Sequence, residues 1–344
     1  MALLTLKVDQ AADLARKIFE ACGVPAADAA LVTDNLISAD ICGLSSHGLM
    51  RAKAYAGRIR DGLTNPKPVI THDRVSENMF KVNGDNALGQ VATMYALDLC
   101  MKSAASIGNA FAAVSHMNHH GMASYYTRLA ARQGFLAFAC TNASPTMAPF
   151  GGLDPLLGTN PFSVSFEAGR YDNFTLDVAT TAVARGKIRM YQKENRPLPL
   201  GWAVDAQGND TTDPAAALEG TLLPMGAHKG YGLAMIVDAL SALLSDADLS
   251  CEAVSMFDSK EAANTGCFLG VIDISRFVPM ERFVARSEEW FDRIKGSRTR
   301  PGFSEVFIPG EIENRRTAAA QGEFSLLDKT WEELQALAAE VGAV

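Results

Sequence analysis

The chain has 344 residues, 48% hydrophobic and 20% charged, the composition of a globular protein with material for a sizeable core and room for two domains. Its formal net charge is -8 and no run of Lys or Arg exceeds a pair, which leaves no basic footprint for nucleic acid or an anionic membrane. The six cysteines, Cys22, Cys42, Cys100, Cys140, Cys251 and Cys267, are spread without a C-x-x-C pair, as in a reducing compartment, and argue against disulfide and zinc-ribbon frameworks. No cleavable leader pattern opens the chain and no apolar stretch reaches membrane-spanning length, so a cytoplasmic protein with a small-molecule or soluble partner is expected.

Three helices are predicted first, over 8–22, 26–41 and 46–61, with Leu14, Ile18 and Phe19, then Leu31, Leu36 and Ile37, as stripes that pack together. From Met79 the period changes to short β-branched or aromatic runs alternating with amphipathic helices, an α/β pattern. A strand at 111–114, a polar loop, a helix at 122–133 and a strand at 135–140 form a βαβ unit. A long coil follows over 141–161, in which Met147, Phe150, Leu153, Leu156 and Leu157 argue for order. Further strands are predicted at 162–166, 174–178, 202–205 and 268–274, and helices at 182–194, 231–244 and 280–295. The tail returns to helix at 331–341, opened by Thr330 with Glu333 in capping-box spacing, and needs the N-terminal helices to bury Leu334 and Leu337. The expected organisation is a helical region, 1–70 joined by 300–344, and an α/β domain, 71–299.

The segment Ser45-Ser46-His47-Gly48-Leu49-Met50-Arg51 carries the densest chemistry. On one continuous helix His47 and Arg51 share a face. A small anion there meets an imidazole that exchanges a proton near neutral pH and a guanidinium that grips a carboxylate with two parallel hydrogen bonds. The plainer alternative is a capping Ser45 or Ser46, a packed histidine and a solvated arginine.

His116, His119 and His120 offer three ring nitrogens at helical metal spacing, which would serve a metal-dependent lyase or hydrolase. Asn118 and Gly121, however, place them on a loop at a strand end, where open α/β sheets bind ligands, and no acidic residue completes a ligand set. No metal is therefore expected. The segments 84–89 and 230–235 each lack a glycine of the G-x-G-x-x-G fingerprint, and no Walker pattern occurs. Lys229-Gly230 before an apolar helix remains a place where a lysine and free N–H groups can hold phosphate.

Together these stretches resemble the malate/L-lactate dehydrogenase type 2 family, which includes ureidoglycolate and L-sulfolactate dehydrogenases and diketogulonate reductase. The marks run in order: Ala39-Asp40 leading to Ser46-His47-Gly48 and Arg51; His119 and Gly121; Pro149-Phe150-Gly151-Gly152; Gly158-Thr159-Asn160-Pro161; Asp177-Val178-Ala179-Thr180-Thr181; Gly186-Lys187; and Lys229-Gly230-Tyr231-Gly232.

The resemblance implies an α/β fold with a non-Rossmann NAD(P)-binding domain and mixed sheet, a helical N-terminal region packed with the C-terminal helix, and a homodimer. It implies NAD or NADP as cofactor and a small 2-hydroxy or 2-oxo acid as substrate. By the same resemblance His47 and His119 are the proton-transfer candidates, with His47 favoured for sharing a face with Arg51. Ser46, Arg51 and Tyr55 hold the substrate, and Ala143, Asp177, Val178, Ala179, Lys229, Gly230, Pro309, Gly310 and Glu311 touch the dinucleotide. The short 223–228 segment is closer to the ureidoglycolate type, and 120–126 lacks the Trp-Pro pattern of the branch that reduces cyclic imino acids, the alternative substrate class.

Overall fold

A computed structural model describes residues 3–257 and 260–343. The chain opens with strand β1 (Leu3–Lys7), helices α1 (Val8–Ala21) and α2 (Ala26–Cys42), two single 3-10 turns, Ser45–His47 and Leu49–Arg51, and helix α3 (Ala52–Arg60). Strands β2 (Thr71–Ser76) and β3 (Met79–Ala87) lead into α4 (Gly89–Ile107), β4 (Asn109–Met117), α5 (Ala123–Ala131), β5 (Phe135–Thr141), β6 (Phe162–Glu167) and β7 (Asn173–Val178). There follow α6 (Arg185–Lys193), β8 (Ala203–Val204), α7 (Pro214–Glu219), β9 (Thr221–Leu222), α8 (His228–Asp238) and its π-helical continuation Ala239–Leu243. The chain closes with β10 (Thr265–Asp273), α9 (Met280–Lys295), α10 (Glu311–Ala320), β11 (Glu323–Leu327) and α11 (Asp328–Val341).

Seven strands form the main sheet in the order β2-β3-β4-β10-β5-β6-β7. Only β3 and β4 run parallel among these neighbours; the other pairings are antiparallel. The β4–α5–β5 unit predicted from sequence is present, but its strands are not neighbours: β10 lies between them, antiparallel to both. Its register sets Leu269 against Ala112 on one side and Ala139 on the other. Strand side chains alternate between faces. Val114, Ala112, Ala137, Ala139, Leu269 and Val271 thus line one face and bury against α4 and α5. Phe111, Phe138 and Phe268 stack on the opposite face.

The two chain ends share a second core. Ile18 and Phe19 of α1 and Leu36 of α2 meet Leu49, Tyr55, Phe324 and Trp331, with Leu334 and Leu337 of α11 buried among them. The tail helix therefore packs as expected. Its start does not: α11 begins at Asp328 with Leu327 as cap, so the Thr330–Glu333 capping box is not used and Thr330 is buried inside the helix. The β1–β11 pair and α10 were not foreseen, because five-residue strands at the chain ends carry little periodic signal. The 141–161 coil is ordered by a bridge between Met147 and Leu157. Both are buried, whereas Phe150, Leu153 and Leu156 are exposed. Met147 and Leu157 belong to a third core with Ile188, Leu198, Leu222 and Ala234.

The third predicted helix is broken. Between the two 3-10 turns Gly48 is extended, at φ -87° and ψ -157°, so His47 and Arg51 do not sit one turn apart on a continuous helix. The cause is the buried Asp40 of α2, whose Oδ2 accepts the Leu49 N–H at 2.8 Å. A Cβ on Gly48 would lie 2.1 Å from Asp40 Oδ1. Gly48→Ala is accordingly expected to cost about 1–3 kcal/mol by overpacking, measured by denaturant titration. A loss below about 0.5 kcal/mol, the range of a neutral surface change, would show that the contact does not constrain this turn.

Candidate active site

The two 3-10 turns hold one wall of the site. Ser46 Oγ lies 2.9 Å from His47 Nδ1, and Arg51 Nε donates to the Ser46 carbonyl at 2.6 Å. The guanidinium is set further by Nη1 on Met256 Sδ at 3.4 Å and by stacking 4.9 Å over the Phe257 ring. Among the described residues no carboxylate pairs with Arg51. The broken helix still delivers His47 and Arg51 to one place, through the hydrogen bonds of the turn rather than through helical spacing.

The turn after β4 supplies the second histidine. The His119 ring stacks on His47 with centroids 5.7 Å apart. Its Nδ1 receives the Gly121 N–H at 3.2 Å and lies 2.7 Å from the Tyr55 hydroxyl. An N–H directed at Nδ1 requires a lone pair there, so the network assigns Tyr55 as a donor to His119 and places the imidazole proton on Nε2. Gln90 Nε2 donates to Tyr55 at 3.2 Å and completes the chain. Tyr55 is thus buried with its hydroxyl on His119.

Two glycines make this arrangement possible. Gly121 is left-handed at φ 78°, and a Cβ there would meet Asn35 Oδ1 at 1.9 Å. Gly89 opens α4, where a Cβ would lie 2.1 Å from the Asn118 carbonyl. The 84–89 stretch weighed as a partial nucleotide fingerprint therefore serves close backbone packing under His119. Gln90 was missed by sequence reasoning. Its one signal was the neighbouring Gly89, a glycine at a helix start where backbone can approach.

Burial sets the protonation. It pushes His47 down to about 4, with the Arg51 charge adding to the effect. His119 is driven well below the usual imidazole value by burial, then by Arg51 and the neighbouring histidines. His120, 1% exposed and stacked on Tyr126, is pushed down to about 3 by burial and then His47. Asp40 moves the other way, up to about 7, because burial outweighs the Leu49 N–H. The site holds neutral imidazoles beside a cation that has no carboxylate partner among the described residues, an arrangement that suits an anionic ligand with a proton to exchange.

His116 stands apart from this group. It is exposed at the end of β4, at φ 53°, with Nδ1 3.1 Å from Ser115 Oγ. Among the described residues no three His, Cys, Asp or Glu side chains group as metal ligands.

The remaining predicted residues gather around the end of β7. Thr180 N–H donates to Thr159 O at 2.9 Å, and Met225 N–H to Thr180 O at 2.9 Å. Gly230 packs into this junction, where a Cβ would sit 2.3 Å from Met225 O and 2.7 Å from Thr180 O. Ala143 joins it through Asn160, whose Oδ1 accepts the Ala143 N–H at 3.1 Å. Lys229 is exposed at the start of α8 and, among the described residues, has no ion pair. The N–H groups of Lys229 and Gly230 already donate to the Gly226 and Met225 carbonyls at 3.3 and 2.9 Å. The ammonium, rather than the free amides expected from sequence, is what this turn offers a phosphate.

Asp177 Oδ2 accepts the Ser124 N–H at 2.9 Å, tying β7 to the start of α5; burial raises its pKa, against that hydrogen bond. Val178 and Ala179 continue the chain from Asp177 into the junction, half-exposed. Pro309 and Gly310 pack on Thr175, with Thr175 N–H to Pro309 O at 3.0 Å. Glu311 is committed elsewhere: both carboxylate oxygens lie 2.7 Å from Lys295 Nζ, and Arg315 adds a third contact.

Comparison with known proteins bears on this geometry. The profile of the malate/L-lactate dehydrogenase family matches residues 6–335. The L-sulfolactate dehydrogenase of Methanocaldococcus jannaschii is 37% identical over 339 residues, covering 98% of this chain and 98% of the relative. A solved structure of a sulfolactate dehydrogenase from that organism superposes with a TM-score of 0.93 at 36% identity, over 98% of both chains. The ureidoglycolate dehydrogenase (NAD(+)) of Escherichia coli is 35% identical over 303 residues, 87% of this chain and 86% of the relative.

Long-range nitrogen–proton NMR of the imidazoles checks the protonation and tautomer. At about pH 6, below the ordinary histidine value, His47, His119 and His120 should all remain neutral, with the His119 proton on Nε2. Each has a lowered folded-state pKa, so protonation sets in only well below the ordinary imidazole range, near about 4 for His47 and about 3 for His120. A cationic His119 at that pH, or its proton on Nδ1, would contradict the Tyr55–His119–Gly121 arrangement.

Proposed function

The chain belongs to the malate/L-lactate dehydrogenase family, and with that as premise we propose how its site works. The protein is a nicotinamide-dependent oxidoreductase that interconverts a small 2-hydroxy acid and its 2-oxo acid. The observation that carries the assignment of roles is the stacking of two neutral imidazoles beside a guanidinium that has no counter-ion among the described residues.

Arg51 receives the substrate carboxylate, with Ser46 beside it, and so aims C2 at the histidines. His119 is the proposed proton-transfer group: once a bound carboxylate raises its pKa it takes a second proton at Nδ1, which the Tyr55 hydroxyl turns to accept. The imidazolium gives its Nε2 proton to the C2 oxygen in reduction, while in oxidation the neutral ring with its proton on Nδ1 accepts the hydroxyl proton at Nε2. The case for His47 rested on a shared helix face that Gly48 interrupts; His47 now stacks against His119 and lines the substrate oxygen. After burial, the Arg51 charge is what holds the His119 pKa down. A bound carboxylate offsets that charge, so substrate binding raises the basicity of His119 when the proton has to move. When bound, the nicotinamide supplies or accepts the hydride at C2.

Ala143, Asp177, Val178, Ala179, Lys229 and Gly230 are the residues proposed to hold the dinucleotide, NAD or NADP. Lys229 offers the charge and Gly230 the close backbone approach. Pro309 and Gly310 border this region, and Glu311 offers main chain only. The mixed sheet order supports a non-Rossmann binding domain, proposed to span 71–299, with 1–70 and 300–344 as the helical part. A cytoplasmic setting is supported by six free thiols. Among the described residues no helix is long and apolar enough to cross a membrane.

A homodimer is proposed from the surface of α8. Leu233, Met235 and Ile236, then Leu243 at the end of the π-helical continuation and Leu244 just after it, are exposed on a helix whose other side is already buried. A run of large apolar side chains of this kind marks an interface. Ile236→Asp should shift the molar mass measured by light scattering from dimer to monomer. A wild-type monomer, or a dimer unaffected by the change, would rule out this face.

The function is tested with a panel of 2-oxo acids and cyclic imino acids, each assayed with NADH and NADPH. Oxo-acid reduction is expected, with His119→Asn lowering kcat by about 10²–10⁴ while cofactor affinity is kept. His47→Asn should have the smaller effect. Turnover confined to imino acids would overturn the substrate class, and the reverse order of the two variants would return the proton to His47.

A further inference from the structure

Helix α6 begins with three cations, Arg185, Lys187 and Arg189. Two are committed. Arg185 Nη2 donates to the Leu218 carbonyl at 2.5 Å, and Lys187 Nζ lies 5.2 Å over the Trp202 ring. Arg189 is exposed and, among the described residues, has no hydrogen bond, ion pair or ring partner.

The helix orients Arg189. Ile188 is fully buried in the core built from Met147, Leu157 and Leu198, which fixes one side of α6 inward. Gly186 lies on the opposite side, where a Cβ would come within 4.0 Å of Ser46 Cβ. Residues three and four apart share a helix face, so Arg189 and Met190 stand one turn beyond Gly186 on the side that meets Ser46–Arg51. The proximity is felt electrostatically: after burial and Tyr55, Arg189 is a cause acting on the Arg51 charge. Among the described residues no carboxylate pairs with either guanidinium, and two such charges near enough to act on each other cost free energy through mutual repulsion. A ligand with two negative groups removes that cost.

We propose that Arg189 is a specificity-determining residue, binding a second acidic group on the carbon chain of the substrate, so that this enzyme prefers dianionic 2-hydroxy and 2-oxo acids over monoanionic ones. The inference rests on the reading of Arg51 as the site of the first carboxylate. The second group is a carboxylate or a sulfonate, both of which accept from a guanidinium. Glycine at 186 leaves room beside Ser46 for the chain that links the two acids.

The test compares kcat/KM for pyruvate, oxaloacetate and 3-sulfopyruvate in the wild type, Arg189→Gln and Arg189→Lys. The wild type should favour at least one dianion over pyruvate, and the larger of the two dianion preferences tells carboxylate from sulfonate. In Arg189→Gln that preference should fall about 10- to 100-fold, the scale of one charge-assisted contact, chiefly through KM. Arg189→Lys should restore part of it, since charge survives without the planar fork. A preference within threefold of the wild type in Arg189→Gln, or a wild type that favours pyruvate, overturns the proposal. Arg51→Lys separates the two readings: it should weaken all three acids, and if it weakens none the assignment of the first carboxylate fails as well.

Discussion

A single buried carboxylate organises one wall of the candidate site. Asp40 accepts the Leu49 N–H and lies so close to Gly48 that only a glycine fits there. The chain is thereby forced out of helix for one residue, and Ser45–His47 and Leu49–Arg51 become separate turns. Arg51 can then fold back onto the Ser46 carbonyl, and His47 stacks on a histidine from a different part of the chain. A continuous helix would have placed His47 and Arg51 on one face but would have lacked the bend that lets the two histidines meet. Asp40 itself is raised to about 7 by burial, a measure of how strongly its surroundings disfavour charge there.

The electrostatic character of the site follows from an imbalance that the fold tolerates. The imidazoles are kept neutral by burial, and among the described residues Arg51 has no carboxylate partner. In a folded protein an uncompensated half-buried cation is unfavourable. It persists where a ligand supplies the opposite charge, and ligand binding then changes the basicity of nearby groups. In the proposed mechanism, binding and proton transfer are coupled through this one guanidinium.

The sheet places the two halves of the site. Because β10 enters between β4 and β5, the turn carrying His119 and the loop after β5 leave the same edge of the sheet, separated by the width of one strand. The loop after β5 then joins the end of β7 and the start of α8 through Asn160, Thr180 and Gly230. Backbone contacts of this closeness depend on glycine where a Cβ would collide. The glycines of the chain therefore mark junctions between distant segments more often than they mark phosphate loops.

Local sequence patterns determined much of this. Apolar spacing located α1, α2, α5 and α9 almost to their ends, and alternation of β-branched and aromatic residues located β5, β6 and β7, because burial of one face imposes its period on the chain. The residue types at 46–51, 119–121 and 229–230 also pointed to the candidate site, since few structural roles call for His, Arg and Gly in those combinations. Only the tertiary structure decided how these pieces meet. The break at Gly48 comes from Asp40, eight residues upstream and on another helix. The role of Tyr55 comes from His119, and its orientation from Gln90. The neighbours of β4 and β5 come from a strand more than a hundred residues away. Hydrogen bonds and packing between distant segments leave no periodic trace in sequence, so a motif can announce that chemistry is present while the fold alone settles which atom performs it.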